Sequence, residues 1–284
     1  MVAIDYGLCT ECGTCTRRFQ NYCIVADGKR PSIRYELCNQ CQRCISICPQ
    51  QAIRMNGVAP RKIDAPLNLD PKALEELMAR RRSTKKFKKE PLPWDLVREI
   101  LLSAGYAPNQ NKNISLLAID HPRLIEEIDK KAVGFVKRWY RVMFSFKQLT
   151  WFLSLFTSRA ALDVIRVKME YDCEYRKHVV KDNAPMMVLA LGDPTVPVTE
   201  ASAQYLMANI ILMAEARGIG SCLMDSLRHT LNGDRGLRKA LGIGNQAKVL
   251  AVLLLGYSDE KVLNIPQGYE IPIHRNQVGP LSPG

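Results

Sequence analysis

Residues 38–49 read CNQCQRCISICP, and the cysteine spacing in this stretch decides how the N-terminal part of the chain is built. The pattern is C-x2-C-x2-C-x3-C, followed at once by a proline. An earlier run, residues 9–15 (CTECGTC), repeats both two-residue steps, and Cys23 follows it after seven intervening residues. Eight of the ten cysteines therefore fall within the first 48 residues, in two runs of four.

This spacing indicates iron–sulfur chemistry. Three thiolates at two-residue intervals bind three corners of a [4Fe–4S] cluster, and the fourth cysteine of each run ligates the other cluster. Zinc sites use paired C-x2-C knuckles, and a third cysteine at the next two-residue step suits a cluster better than a single tetrahedral ion. Disulfides need an oxidising compartment, and no signal peptide precedes Cys9. We therefore predict two clusters in a cytoplasmic protein. The predicted ligand sets are Cys9, Cys12, Cys15 and Cys48 for one cluster, and Cys38, Cys41, Cys44 and Cys23 for the other.

The cysteine pattern divides the chain into domains. Residues 1–55 resemble two-cluster bacterial ferredoxins, from which they differ in the longer gap between Cys15 and Cys23. Residues 56–69 (NGVAPRKIDAPLNL) contain two prolines and no helical period, which is typical of a linker. Residues 70–284 are long enough to bury a core of their own.

The second domain shows alternating helix and strand signals. Asp70 with Pro71 predicts a helix start, and Pro93 predicts another. Buried strands are predicted at 116–120, 186–192 and 248–257. Between the last two, apolar residues at helical spacing predict a helix that is capped by Thr199 and closed by Gly218. This alternation predicts an α/β or α+β fold.

Residues 80–89 (RRRSTKKFKK) contain seven basic residues among ten. Such a run is either a solvated or nucleic-acid-binding surface, or part of a phosphate pocket. Ser83 and Thr84 favour the pocket because hydroxyl and guanidinium donors together bind phosphate, and Phe87 would anchor the run in the core.

Four segments in order carry a family resemblance. They are residues 81–87 (RRSTKKF), 104–113 (AGYAPNQNKN), 214–224 (AEARGIGSCLM) and 249–257 (VLAVLLLGY). Together they resemble the FMN-dependent nitroreductases, and the cysteine runs ahead of them are similar to the branch with a fused ferredoxin domain. The resemblance implies an α+β sandwich that forms a homodimer, with one FMN at each interface.

The resemblance also implies the flavin contacts. It assigns the phosphate and ribityl chain to Arg81, Arg82 and Ser83, and it places Lys85 near the flavin N1/C2 carbonyl. Contacts to the ring and ribityl chain fall on Pro108, Asn109 and one or both of Asn111 and Asn113. The backbone amides of a loop facing flavin N5 belong to Ser221, Cys222, Leu223 and Met224, and Arg275 is a terminal phosphate ligand. No catalytic side chain is predicted.

Residues 135–180 have no counterpart in the resemblance. The segment contains seven aromatic residues of interest: Trp139, Tyr140, Phe144, Phe146, Trp151, Phe152 and Phe156. Four interpretations stay open for them: an aromatic wall at the flavin, a dimer contact, an interfacial helix, or ordinary core. No run of 18 apolar residues exists, so no transmembrane segment is predicted.

The formal net charge of +12 falls to about +6 once two clusters and a flavin phosphate are counted. This surplus favours an acidic redox partner or an anionic substrate, and nucleic acid is not a predicted partner.

The predicted function is that of an oxidoreductase in which electrons pass from two [4Fe–4S] clusters to FMN and on to an electron-poor small molecule of nitro, quinone or enone type. The electron donor would be a ferredoxin, a flavodoxin or NAD(P)H. The alternative is an electron carrier or redox sensor without a small substrate of its own.

Overall fold

The computed structural model describes residues 1–19, 22–108, 113–145, 158, 162–164, 166–167, 170–171, 178–180, 183–268, 271 and 273. Helices and strands are numbered below in chain order among these residues. Within this part of the chain, no helix is both long and apolar enough to cross a membrane.

The cysteine-rich domain is built from very short elements. They are β1 (Val2–Ile4), α1 (Thr14–Phe19), β2 (Ile24–Asp27), β3 (Arg30–Ile33), a 3-10 turn (Tyr35–Leu37), α2 (Arg43–Ser46) and β4 (Ile53–Met55). Strand β1 pairs antiparallel with β4, and β2 pairs antiparallel with β3. The core is small: its fully buried members are Val2, Phe19, Ile24, Cys44, Ile45 and Ile53.

The first helix of the second domain, α3 (Pro71–Arg80), begins as the sequence predicts. The Asp70 side chain accepts a hydrogen bond from the Lys72 amide at 3.0 Å, and proline occupies the first helical position. The apolar stripe of this helix remains partly exposed, at 39% for Leu74 and 49% for Met78.

A four-stranded antiparallel sheet forms the centre of the second domain. Its strands are β5 (Ser115–Ile119), β6 (Met186–Gly192), β7 (Gly220–Leu223) and β8 (Lys248–Gly256), in the order β5-β6-β8-β7. The two middle strands, β6 and β8, are almost entirely buried. The three predicted strands are present within one residue of their predicted ends, whereas β7 was not predicted.

Helices cover both faces of this sheet, because successive side chains of a strand point to opposite sides. One face packs against α4 (Trp94–Leu102), a 3-10 turn (Ser103–Tyr106) and α6 (Thr199–Ala216). The other packs against α5 (Pro122–Ser145), α7 (Asp225–Gly233) and α8 (Arg235–Ala240). The predicted α+β fold class is confirmed.

The start of α6 differs from the prediction. Its N-cap is Val198, whose φ is +60° and whose side chain makes no capping bond. Thr199 is 2% exposed, and its hydroxyl accepts a hydrogen bond from Asn113 Nδ2 at 2.7 Å. The predicted cap at Thr199 is wrong because a tertiary contact uses that hydroxyl. Gly218, with φ of +69°, ends the helical segment as predicted.

Candidate functional site

Four of the predicted ligands surround one cavity in the cysteine-rich domain. Cys9, Cys12, Cys15 and Cys48 line a small cavity, and Ile4 and Ile53 are among its apolar walls. The first three cysteines come from the loop before α1 and from α1 itself, whereas Cys48 follows α2. The structure therefore brings together the four cysteines of one predicted set.

The other four cysteines also lie close to one another. Burial, and then the neighbouring charges of Cys23, Cys41 and Cys38, raises the pKa of Cys44 to about 12. The pKa of Cys23 is raised too, first by burial and then by Cys38. Cys23 and Cys38 also pack against the small core that contains Cys44, so at least three cysteines of the second predicted set lie in one region.

Burial raises the pKa of Cys15, Cys23 and Cys44, which disfavours the bare thiolate at these three positions. The Thr14 hydroxyl, 3.4 Å from the Cys12 sulfur, lowers the pKa of Cys12. Because ligation requires the deprotonated thiolate, cluster binding would release protons. No three Cys, His, Asp or Glu side chains in the described ranges converge closely enough for a single metal ion.

A second candidate site involves residues 81–88, which we call the basic strap. The strap lies along the sheet edge formed by β7: Ser83 forms a parallel bridge with Ser221, and the Thr84 amide donates to the Ser221 carbonyl at 2.9 Å. Thr84 and Phe87 are 7% and 1% exposed. The predicted inward anchor at Phe87 is thus present, and the run is attached to the core at two points.

Two glycines permit this close approach. A Cβ at Gly220 would lie 2.4 Å from the Thr84 hydroxyl oxygen, and a Cβ at Gly256 would lie 2.8 Å from the Phe87 ring. Real Cβ contacts are not this short, so a side chain at Gly220 would displace the strap. A side chain at Gly256 would also meet Pro185, 2.6 Å away.

The strap is also held from the segment that follows β8. The Glu260 carboxylate accepts hydrogen bonds from the amides of Lys85 and Lys86 at 2.8 and 3.3 Å. The Asp259 amide donates to the Lys86 carbonyl at 3.0 Å. Sequence reasoning missed Glu260, since an exposed acidic residue 175 positions from its partner gives no local signal.

The side chain of Lys85 extends toward β7, the strand along which the strap lies. Its Nζ lies 3.8 Å from the sulfur of Cys222, which is 2% exposed. Arg81 and Arg82 are half-buried, whereas Ser83 is exposed. The strap therefore presents a hydroxyl, two guanidinium groups and an ammonium group along one edge of the sheet.

The segment predicted to be a loop facing N5 is mostly a strand. Ser221, Cys222 and Leu223 belong to β7, and Leu223 is 38% exposed. The Met224 amide donates to the Val252 carbonyl at 2.8 Å. The Met224 amide is therefore used by a backbone hydrogen bond within the domain. The predicted contact of this amide with flavin N5 is not available.

The remaining predicted contacts are partly described. Pro108 is exposed, whereas Asn109, Asn111 and Arg275 lie outside the described residues. Asn113 donates to Thr199, yet its Oδ1 is buried and has no hydrogen-bond donor among the described groups. Buried acceptors are rarely left unpaired, so this oxygen marks a place where a donor belongs.

Comparison with known proteins supplies the family. A model of the nitroreductase family matches residues 78–257, more than half of the chain. The chain belongs to the nitroreductase family. A model of a 4Fe-4S binding domain matches residues 31–54 of this nitroreductase, so the predicted architecture of a ferredoxin-like domain ahead of a nitroreductase domain is confirmed. No curated protein matches the chain.

Solved structures share the fold of the nitroreductase domain. A nitroreductase with bound FMN from Bacteroides fragilis is 20% identical, with a TM-score of 0.53, and the match covers 71% of this chain and 98% of that one. One with bound FMN from Desulfitobacterium hafniense is 18% identical, with a TM-score of 0.53 and 69% and 94% coverage. Iodotyrosine deiodinase, bound to FMN and 3-iodo-L-tyrosine, is 19% identical, with a TM-score of 0.51 and 72% and 100% coverage.

Proposed function

We propose that this nitroreductase binds one FMN and two [4Fe–4S] clusters, and that it passes electrons from the clusters through FMN to an electron-poor organic acceptor of nitro, quinone or enone type. The observation that carries the proposal is the basic strap fixed against β7, in the same chain as two runs of four cysteines. FMN is bound in the solved structures of two nitroreductases with this fold.

The strap has the donors that a flavin phosphate needs. Two guanidinium groups at Arg81 and Arg82 and the exposed hydroxyl of Ser83 match a phosphate dianion, because guanidinium donors bind phosphate oxygens in pairs. Asn113 has a buried carbonyl oxygen without a donor among the described groups, but it lies beside Gly192, at the other end of β6 from the strap. The strap itself therefore carries the proposed phosphate contacts within one chain.

Lys85 would tune the bound flavin. Its amide donates to the Glu260 carboxylate, and its ammonium nitrogen lies 3.8 Å from the Cys222 sulfur, so the side chain extends toward β7. A cation held near the ring stabilises negative charge there. When bound, FMN would supply the conversion between one-electron and two-electron transfer.

The cysteine sets fit clusters in the same sense. The cavity beside Cys9 is lined by all four thiols of one predicted set and by apolar side chains that include Ile4, Ala52 and Ile53. The second set joins Cys23 to three cysteines of the later run through the mutual influence of their thiols. These observations support two clusters rather than one, with the crossed ligation that the spacing predicts.

We also propose a homodimer. Large apolar side chains remain exposed on one side of the domain, on α3, α4, the turn after α4, and α6; they are Leu74, Met78, Trp94, Leu102, Tyr106 and Tyr205. A patch of this kind on a soluble domain marks an interaction surface. A second copy of the chain would cover it.

The route of the electrons is tested by removing one ligand. Cys41→Ala should slow flavin reduction by a low-potential one-electron donor at least about tenfold, since it disrupts one cluster on the path. Reduction by excess NAD(P)H, where it occurs, should be nearly unchanged. Anaerobic stopped-flow absorbance at the flavin band measures both rates. Ser46→Ala, an exposed position on α2, is the matched control.

Equal rates of flavin reduction in wild type and Cys41→Ala would show that this cluster is not on the path. The reduced wild-type protein is then mixed with nitroaromatic, quinone and enone acceptors. Reoxidation by one class identifies the acceptor. A reduced flavin that none of them reoxidises would leave the electron-carrier alternative in place of the enzyme.

A further inference from the structure

Residues 257–260 follow the end of β8 and continue alongside the basic strap; we call them the β8 extension. The Lys88 amide donates to the Tyr257 carbonyl at 2.9 Å, and the Asp259 amide donates to the Lys86 carbonyl at 3.0 Å. The pairing between them is antiparallel. The strap is therefore paired with β7 at one end and with the β8 extension at the other.

Glu260 ends this extension, and its position is fixed from two sides. Its backbone amide donates to the Ser258 hydroxyl at 3.1 Å, and that hydroxyl donates to the Glu260 carbonyl at 3.0 Å. One carboxylate oxygen, Oε2, accepts from both the Lys85 and the Lys86 amide. Successive backbone amides that converge on one oxygen form an anion-binding concavity. The carboxylate thus takes the place of a strand partner for these two amides.

The Glu260 carboxylate binds the backbone of Lys85 and leaves its ammonium group unpaired. Among the residues that the structure describes, no carboxylate forms an ion pair with Lys85, and Glu260 forms none with any cation. The ammonium nitrogen lies 3.8 Å from the Cys222 sulfur, beside β7. Lys85 therefore keeps its full positive charge while its backbone is held in place, which suits a cation that acts on a bound group.

We propose that Glu260 is a positioning residue for the flavin: by holding the Lys85 backbone, it keeps the Lys85 ammonium group at the flavin ring and so stabilises the anionic reduced flavin. The inference rests on the proposed function, in which Lys85 tunes the bound FMN. The charge of Glu260 alone would act in the opposite direction, because a negative charge near the ring disfavours an anionic reduced state. The sign of the effect therefore separates positioning from simple charge.

Redox equilibration of the FMN-loaded full chain with a reference dye tests this role, since the flavin absorbance gives the ratio of reduced to oxidised FMN. E260A removes the acceptor of both amides and should lower this ratio at least about tenfold, which is the interaction that a cation loses when it moves from about 4 to about 7 Å from a negative charge. E260Q keeps an oxygen acceptor at the same place and should restore the ratio. Glu260 is exposed, so the melting temperature of both variants should change little.

A double-mutant cycle with Lys85 shows whether Glu260 acts through the lysine. K85Q should lower the ratio at least as far as E260A does. Adding E260A to K85Q should lower the ratio no further, because no ammonium group is left to position. The matched control is E90Q, which removes an exposed carboxylate two residues beyond the strap and should behave like the wild type.

Two results would overturn the inference. One is a ratio in E260A that equals or exceeds the wild-type ratio. The other is an equally large fall when E260A is added to K85Q, which would give Glu260 a structural role that is independent of the lysine. Both results are obtained on chains with FMN bound. A wild-type chain that binds no FMN would instead overturn the proposed function, and the inference would fall with it.

Discussion

The cysteine-rich domain has one small core cluster of six buried side chains, whereas the nitroreductase domain buries a large cluster on each face of its sheet. A domain of about 55 residues hides too little surface to be stable on packing alone, and small domains use metals to close the deficit. The larger domain has the opposite arrangement. Its core is complete, and its candidate flavin groups lie at an edge of the sheet. Cofactor loss should therefore have very different structural consequences in the two domains.

Removal of the clusters is the largest expected effect. Chelation of iron should unfold residues 1–55, because the energy of metal binding is also folding energy in such domains. Limited proteolysis with mass spectrometry should then show cleavage within these residues, while the nitroreductase domain stays protected. Before chelation, iron analysis should give about eight irons per chain. Four irons per chain would contradict cluster binding by the second cysteine set. Continued protection of residues 1–55 after chelation would show that this domain does not need its clusters to stay folded.

Loss of the flavin should leave its domain folded. Arg81→Ala together with Arg82→Ala should cost about 3–6 kcal/mol of FMN binding, at roughly 1.5–3 kcal/mol for each charged hydrogen bond. Flavin content after gel filtration would fall, while iron content and the melting temperature would change little. Lys88→Ala with Lys89→Ala is the control from the same basic run. Wild-type flavin content in the double arginine variant would show that the strap is only a charged surface.

The approach of the strap to the sheet can be broken separately from its charges. Gly220→Ala places a Cβ 2.4 Å from the Thr84 hydroxyl oxygen, and overpacking of this kind costs about 1–3 kcal/mol. Thermal unfolding should shift downward, and flavin content should fall with it. Gly244→Ala, where a Cβ meets nothing within 4 Å, is the control. Adding Thr84→Ala to Gly220→Ala should recover part of the loss; no recovery would place the strain elsewhere.

The smallest effect belongs to a helix cap in the larger domain. The Asp234 side chain accepts from the Leu237 amide at 2.8 Å, and this bond, followed by the Lys131 ammonium, holds the pKa of Asp234 below its usual value. Because the folded state favours the ionised form, the contribution is present above the usual pKa of aspartate and is lost as the pH falls through the lowered value. Asp234→Ala should cost about 1 kcal/mol at neutral pH.

Denaturant melts across pH check this cap. The difference between wild type and Asp234→Ala should shrink as the pH falls below that of the usual aspartate titration. Asp95, which is acidic but makes no capping bond in α4, provides the comparison position. A difference that stays constant down to low pH would mean that the carboxylate charge contributes nothing.

The sequence predicts well what depends on local spacing. The Asp70 cap and the strands β6 and β8 follow from chemistry within a few residues or from a long buried run. The two cysteine ligand sets also come from local spacing, and they stay predictions. Thr199 fails as a cap because its hydroxyl meets Asn113, 86 positions earlier. Strand β7 is missed because it is only four residues long and contains a glycine and a serine, so it has no apolar run of its own. It becomes a strand by pairing with β8, at least 30 positions later in the chain. The hydrogen bonds from the Lys85 and Lys86 amides to Glu260 cannot be predicted from the sequence for the same reason, because only the folded chain brings these residues together.

The contacts that hold the basic strap have a consequence for the order in which the domains fold and bind their cofactors. Ser221 and Glu260 hold residues 83–86, so the strap reaches its final position only after the ribosome has made more than 170 further residues. Domains fold as units in the order in which they emerge, and the cysteine domain, whose last strand ends at Met55, can accept its iron far earlier. Cofactor loading would therefore be sequential in time, with the inorganic groups inserted during translation and the flavin only at its end.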